Sequence, residues 1–221
     1  MAGLLINLPT WWIIRIAGLT SYALLFAGVA LGILYSMPLF KGQAKARLYR
    51  WHSRTSNAGL LIGLVHGLIL MIDTYMPYGW PQLLVPFTAP KDPFWSGLGT
   101  LTIYGLILVL ITTDFKSLIP YRLWKYIHLL AYPVFLSAML HGIGAGSDSK
   151  VPWIGIFYGA SCVMIGLLTV IRIRMAVRQK RGRAQDAYSA GGGRREAGDA
   201  GAVQAGPAVP QRRLGTGRRN G

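Results

Sequence analysis

Four histidines occur among the 221 residues, and each falls in a stretch that is otherwise mostly apolar. "YRWHSRTSNAGLLIGLVHGLIL" holds His52 and His66, spaced by 14, and "YRLWKYIHLLAYPVFLSAMLHGI" holds His128 and His141, spaced by 13. At a helical rise of about 1.5 Å per residue the two spacings correspond to ~21 Å and ~20 Å. If the two segments are neighbours running in the same direction, His52 faces His128 and His66 faces His141. Two imidazoles across a gap suit a haem iron bound axially on both faces. Zinc fits less well, because it wants about four ligands, or three and water, converging on one point. A histidine inside a spanning helix can also be a packed polar residue or part of a proton relay. Two haems at two depths would instead carry electrons through hydrocarbon, which otherwise offers them no easy path.

The elements that must position these side chains are helices. With 52% hydrophobic residues, the chain is too apolar for an ordinary soluble domain. Five segments are long and apolar enough to span a bilayer, roughly 12–36, 48–73, 94–113, 120–143 and 153–175. The predicted fold is an all-α membrane protein, a bundle of five transmembrane helices over residues 1–178, followed by a disordered basic cytoplasmic tail over 179–221. No stretch alternates as barrel strands do. The first segment lacks a basic leading region and a clear cleavage site, so it is expected to remain as a span. Cys162 is the single cysteine, which excludes an intramolecular disulfide, and it reads as a small core residue. Rotation is the one difficulty in the histidine pattern. At about 100° per residue, 14 residues return within ~40° of the starting face, whereas 13 miss by ~140°. Pro133 lies between His128 and His141, and tightening around it is expected to restore the phase.

The net charge of +16 is distributed by loop rather than spread evenly. Lys41, Lys45, Arg47, Arg50 and Arg54 lie between segments one and two, and Lys116, Arg122 and Lys125 between three and four. Arg172, Arg174, Arg178, Lys180, Arg181 and Arg183 follow segment five. The alternate loops carry only Lys91 with Asp92, and Lys150 with Asp148. Lys and Arg concentrate on the cytoplasmic side, which predicts a multi-pass plasma-membrane protein with its amino terminus outside and its carboxyl terminus inside. The basic excess then reflects topology and contact with anionic membrane lipid, not nucleic acid. The tail, rich in Gly, Ala and Arg, has almost no large apolar residues.

Cations near the histidines have a second reading, as partners for haem propionates. Arg54, Arg122 and Lys125 stand at the level of His52 and His128, with Arg50 beside them and Trp51, Trp124 and Tyr126 as an aromatic belt. Arg15 lies inside segment one near its outer end, where a charge is expensive and usually paired. An outer propionate or Asp73 is its expected partner. Gly59, Gly63, Gly67, Gly97, Gly99 and Gly105 allow close approach of helices or of a flat macrocycle. "HGIGAGSDS" is expected to close segment four in an exterior loop where an electron acceptor would touch. No Ser-His-Asp set, phosphate-binding loop or carboxylate pair is present, so hydrolytic chemistry is not expected.

The paired histidines and their context, "RLYRWHSRTS", "LVHGLILMID", "YRLWKYIHLLAYPVF" and "MLHGIGAGSDS", resemble the ferric reductase-like transmembrane family. That family includes NADPH oxidases, ferric reductases and the haem-binding membrane subunit of periplasmic methionine sulfoxide reductase. The resemblance covers roughly residues 10–175 and implies two haem b groups with bis-histidine ligation, His52 with His128 and His66 with His141. Many members have six spans and a flavin- and nicotinamide-binding module; five spans and a tail of about 45 residues are expected to supply the haem core alone. The expected function is a membrane b-type cytochrome, an oxidoreductase component with no catalytic residue of its own. It would take electrons from a separate flavoprotein reductase or quinol and deliver them to an exterior acceptor, protein or small molecule. Three rivals make different predictions. A quinol-linked cytochrome b subunit of a respiratory complex needs no flavoprotein, a transporter with a histidine relay is colourless, and a membrane anchor tolerates loss of its histidines.

Overall fold

A computed structural model describes residues 10–73, 77–146 and 151–204. The described residues form seven α-helices and one 3-10 turn, with no strand. In chain order the helices are α1 (Thr10–Ser36), α2 (Gly42–Ile69), α3 (Trp80–Leu84), α4 (Pro93–Asp114), α5 (Tyr121–Leu129), α6 (Ala131–Ala145) and α7 (Pro152–Gln204). The 3-10 turn, Lys116–Leu118, joins α4 to α5.

Proline sets several of the starts. Pro93 and Pro152 open α4 and α7, where a missing N–H costs nothing because the first helical amides have no partner within the helix. Gly42, with φ of +53°, turns the chain from α1 into α2 in a conformation that a side chain would strain. Between α5 and α6 the helix breaks at Leu130. The Leu130 amide donates to Ile127, three residues back, at 3.0 Å, and the Val134 amide donates to Leu130 at 3.0 Å. Pro133 has no amide to offer Leu129, which is why the break falls one turn before it. The sequence led to the expectation of tightening near Pro133, and the i→i−3 turn at Leu130 is that tightening.

Four stretches are long and apolar enough to cross a membrane: Thr10–Ser36, Pro93–Asp114, Tyr121–Ala145 and Pro152–Arg183. The five expected spans thus become four by length and composition among the described residues. α2 is the one outside that count. It has the length, 28 residues, but its first half carries Lys45, Arg47, Arg50, His52 and Arg54, and the polar Thr55, Ser56 and Asn57 follow. Only from Ala58 onward is it continuously apolar, apart from His66.

The chain divides into two units, Met1–Met175 and Ala176–Gly221. In the first, α1 and α2 form an antiparallel hairpin in contact along most of its length, and α4 packs on α5 and α6. The core is made by Tyr22, Leu25, Ile33 and Met37 of α1, Leu106 of α4, Val134, Phe135, Ala138 and Met139 of α6, and Tyr158 and Ile165 of α7. Tyr22 stacks on Phe135 at 5.6 Å between ring centres and hydrogen-bonds Ser161, whose hydroxyl in turn donates to the Tyr158 carbonyl at 2.8 Å. Leu, Ile, Val and Phe side chains are exposed along every long helix, as is required of a surface that faces lipid. Cys162 is among the exposed residues of α7 rather than in the core. In the second unit α7 continues as helix through Gln204. The Ala, Arg, Gln and Lys that dominate the first part of the tail are good helix formers. Residues 205–221 lie outside the described residues, as do residues 147–150 of the loop after His141.

Candidate functional site

The structure brings the four histidines together in two pairs. His52 of α2 lies beside His128 of α5 with ring centres 6.1 Å apart, and His66 of α2 lies beside His141 of α6 at 6.2 Å. The ring planes cross at 78° and 77°. A metal bond to an imidazole nitrogen is about 2.0–2.1 Å, and a ring nitrogen stands about 1.1 Å from its ring centre, so one ion between two imidazoles sets the centres about 6.2–6.4 Å apart. Both pairs stand close to that separation. No cluster of three or more His, Cys, Asp or Glu side chains suited to a metal occurs among the described residues. Each pair therefore brings two imidazoles together without a third such side chain.

Each imidazole is also held from behind. His52 Nδ1 is 2.7 Å from the Gly28 carbonyl, His66 Nδ1 is 2.9 Å from the Ile14 carbonyl, and His141 Nδ1 is 2.8 Å from the Trp95 carbonyl. A carbonyl can only accept, so in all three Nδ1 carries the proton and donates. Nε2 then bears the lone pair, which is the state a metal ligand needs.

The helices offering these carbonyls share a local device. Four residues beyond each acceptor, one turn along on the same face, stands a glycine pressed against the ring. A Cβ on Gly32 would lie 3.0 Å from His52, one on Gly18 3.1 Å from His66, and one on Gly99 2.8 Å from His141. The acceptor carbonyl already receives the helical amide of residue i+4 and uses its second lone pair for the imidazole. Glycine at i+4 removes the side chain that would block the approach. Ile14/Gly18 and Gly28/Gly32 repeat on α1 at an interval of 14 residues, matching the interval between His66 and His52 on the antiparallel α2.

His128 is supported differently. Its Nδ1 lies 3.5 Å from the Thr113 hydroxyl, which donates to the Val109 carbonyl at 2.6 Å. Trp124 donates its Nε1 hydrogen to the same Oγ1 at 3.4 Å and stacks on the imidazole, 5.1 Å between centres with planes at 23°. Arg172 of α7 is near enough to act on His128 electrostatically.

The expected cations occupy the two ends of the bundle. Arg54, Arg122 and Lys125 are exposed on α2 and α5 at the end that holds His52 and His128, with Arg54 5.8 Å from the Trp51 ring. Arg15 stacks over Trp11 at 3.9 Å and reaches Trp12 at 5.1 Å, near the end that holds His66. Thr10 donates to Asp73 at 2.8 Å, tying the start of α1 to the residues after α2. Tyr126 and Trp51 are exposed as a belt requires, whereas Trp124 turns inward. The carbonyl acceptors, Thr113, and the roles of Trp124 and Arg172 were not visible in the sequence. The repeat of Gly18 and Gly32 at an interval of 14 on α1 is the signal that could have pointed to the acceptors there.

The family model for the ferric reductase like transmembrane component matches residues 17–139, more than half of the chain. The chain therefore belongs to the ferric reductase-like transmembrane family, a class of multi-pass membrane proteins concerned with electron transfer. The matched region takes in His52, His66 and His128 and ends just before His141. No curated protein matches the chain.

Proposed function

We propose that the chain is a membrane b-type cytochrome that passes electrons across the bilayer through two haems, which His52 with His128 and His66 with His141 would hold. The observation that carries this reading is the pair of ring separations, 6.1 Å and 6.2 Å, with three of the four Nδ1 atoms bound to carbonyls and their Nε2 atoms left free to ligate. Haem iron would supply a one-electron couple at each depth. The chain's own residues orient the imidazoles, exclude water with the lipid-facing helices, and offer cations to the propionates. Arg54, Arg122 and Lys125 serve the His52–His128 end in this way, and Arg15 serves the His66–His141 end.

α2 is read as the fifth span. At about 1.5 Å per residue its 28 residues reach ~42 Å, against about 30 Å of hydrocarbon. Its polar first half would sit in the basic interfacial layer, and its hairpin with α1 shields the histidines from lipid. The positive-inside rule places the His52–His128 end in the cytoplasm. Electrons then enter there from a separate flavoprotein or quinol and leave from the His66–His141 end to an exterior acceptor.

The test is a reduced-minus-oxidised spectrum with pyridine haemochrome on the wild type and on His66→Ala. Two low-spin b haems per chain, falling to one in the variant, are expected. A colourless protein from haem-replete cells would sink the reading, and a histidine relay would take its place.

A further inference from the structure

The four histidine supports form a set with one exception. On α1 the acceptor and spacer pairs are Ile14/Gly18 and Gly28/Gly32, and on α4 they are Trp95/Gly99 and Val109/Thr113. The interval is 14 residues on both helices, so Thr113 stands where the pattern calls for a fourth glycine. We propose that Thr113 is a positioning residue for the His52–His128 site. Its hydroxyl relays the His128 Nδ1–H to the Val109 carbonyl, and so leaves this imidazole the least electron-rich of the four.

The chemistry of one oxygen atom carries the argument. Thr113 gives its only hydroxyl hydrogen to Val109 at 2.6 Å, so both remaining lone pairs accept. One faces His128 Nδ1 at 3.5 Å and the other faces Trp124 Nε1 at 3.4 Å. A threonine bonding back to i−4 is common in helices by itself. Here two ring N–H groups, already stacked on each other's planes, converge on that same hydroxyl. A long bond to a shared hydroxyl withdraws less of the Nδ1 proton than a 2.7–2.9 Å bond to a carbonyl. Ligand basicity follows the strength of that outer bond. A less basic imidazole stabilises ferric iron less. A haem iron held by this pair would be easier to reduce than one with a glycine-type support behind His128 as well as behind His52.

This inference rests on the haem reading, and potentiometry of the purified holoprotein separates the two. Thr113→Val keeps the shape and removes the acceptor, and should raise one of the two midpoints by three- to tenfold in the reduction equilibrium, at 59 mV per tenfold for one electron. Thr113→Gly completes the pattern, lets His128 reach Val109 directly, and should lower the same midpoint. Thr113→Ser restores the hydroxyl and should return it close to wild type. The second midpoint stays in place throughout. Unmoved midpoints in the valine variant, or an upward shift in the glycine variant, overturn the proposal while leaving both haems in evidence. A wild type without haem overturns this proposal together with the reading beneath it.

Discussion

A histidine in a membrane helix has few ways to satisfy its ring N–H, and here three of four use a neighbouring helix's own carbonyl. The arrangement depends on glycine for a steric reason that substitution can test. A Cβ on Gly99 would stand 2.8 Å from the His141 ring, closer than real Cβ contacts come. Gly99→Ala should therefore push His141 off Trp95 and weaken haem retention at that site about 10–100-fold, the usual cost of losing an outer partner of a metal-bound histidine. Haem counted per chain after gel filtration should fall toward one, with the His52–His128 haem retained. At this scale the sequence was informative only in part. The histidines stand out because they are four polar rings in apolar surroundings. Gly99 was noted for close packing, but its partner was hidden, because a backbone acceptor has no letter of its own.

At the level of the element, the 13-residue interval between His128 and His141 is resolved by breaking one span into α5 and α6. The cause is covalent: Pro133 withholds an amide and the chain tightens at Leu130. Pro133→Ala should let the helix run through, turning His141 away from His66 by up to ~140° at about 100° per residue. Such a variant should fold and insert with unchanged helical circular dichroism but lose the haem of the second pair. Retention of both haems would show that packing, not the proline, sets the phase. α2 teaches the converse about reading spans. Its apolar half was legible, and its boundary expected at residue 48 missed the start at Gly42 because the basic turn preceding it is already helical. Hydropathy marks what lipid touches, while α2 turns its small and polar residues, Gly59, Gly63 and Ser56, toward α1 and α4.

For the whole molecule, the fold class was plain from composition, because 52% hydrophobic residues in long runs leave few alternatives to a helical bundle. The tail's Gly-, Ala- and Arg-rich composition says little about its local form, and α7 runs on to Gln204. The sidedness inferred from charge predicts a labelling pattern. In a Cys162→Ser background, a cysteine placed at Ser117 should resist a membrane-impermeant maleimide on intact cells, and one placed at Thr88 should react. The reverse pattern would invert the direction of electron flow. One feature of the bundle also bears on how it is made. Both histidines of α2 hang from carbonyls of α1, so the first hairpin can set half of each site as soon as it is inserted. Their partners on α5 and α6 are about 75 residues further along the chain. At about 5–20 residues per second the ribosome needs roughly 4–15 s to deliver them. During that interval the nascent protein holds two oriented imidazoles whose partners have not yet been made, so on the haem reading proposed above the cofactor would have to be kept in supply until the second hairpin arrives, and its delivery would be a step in the biogenesis of the protein.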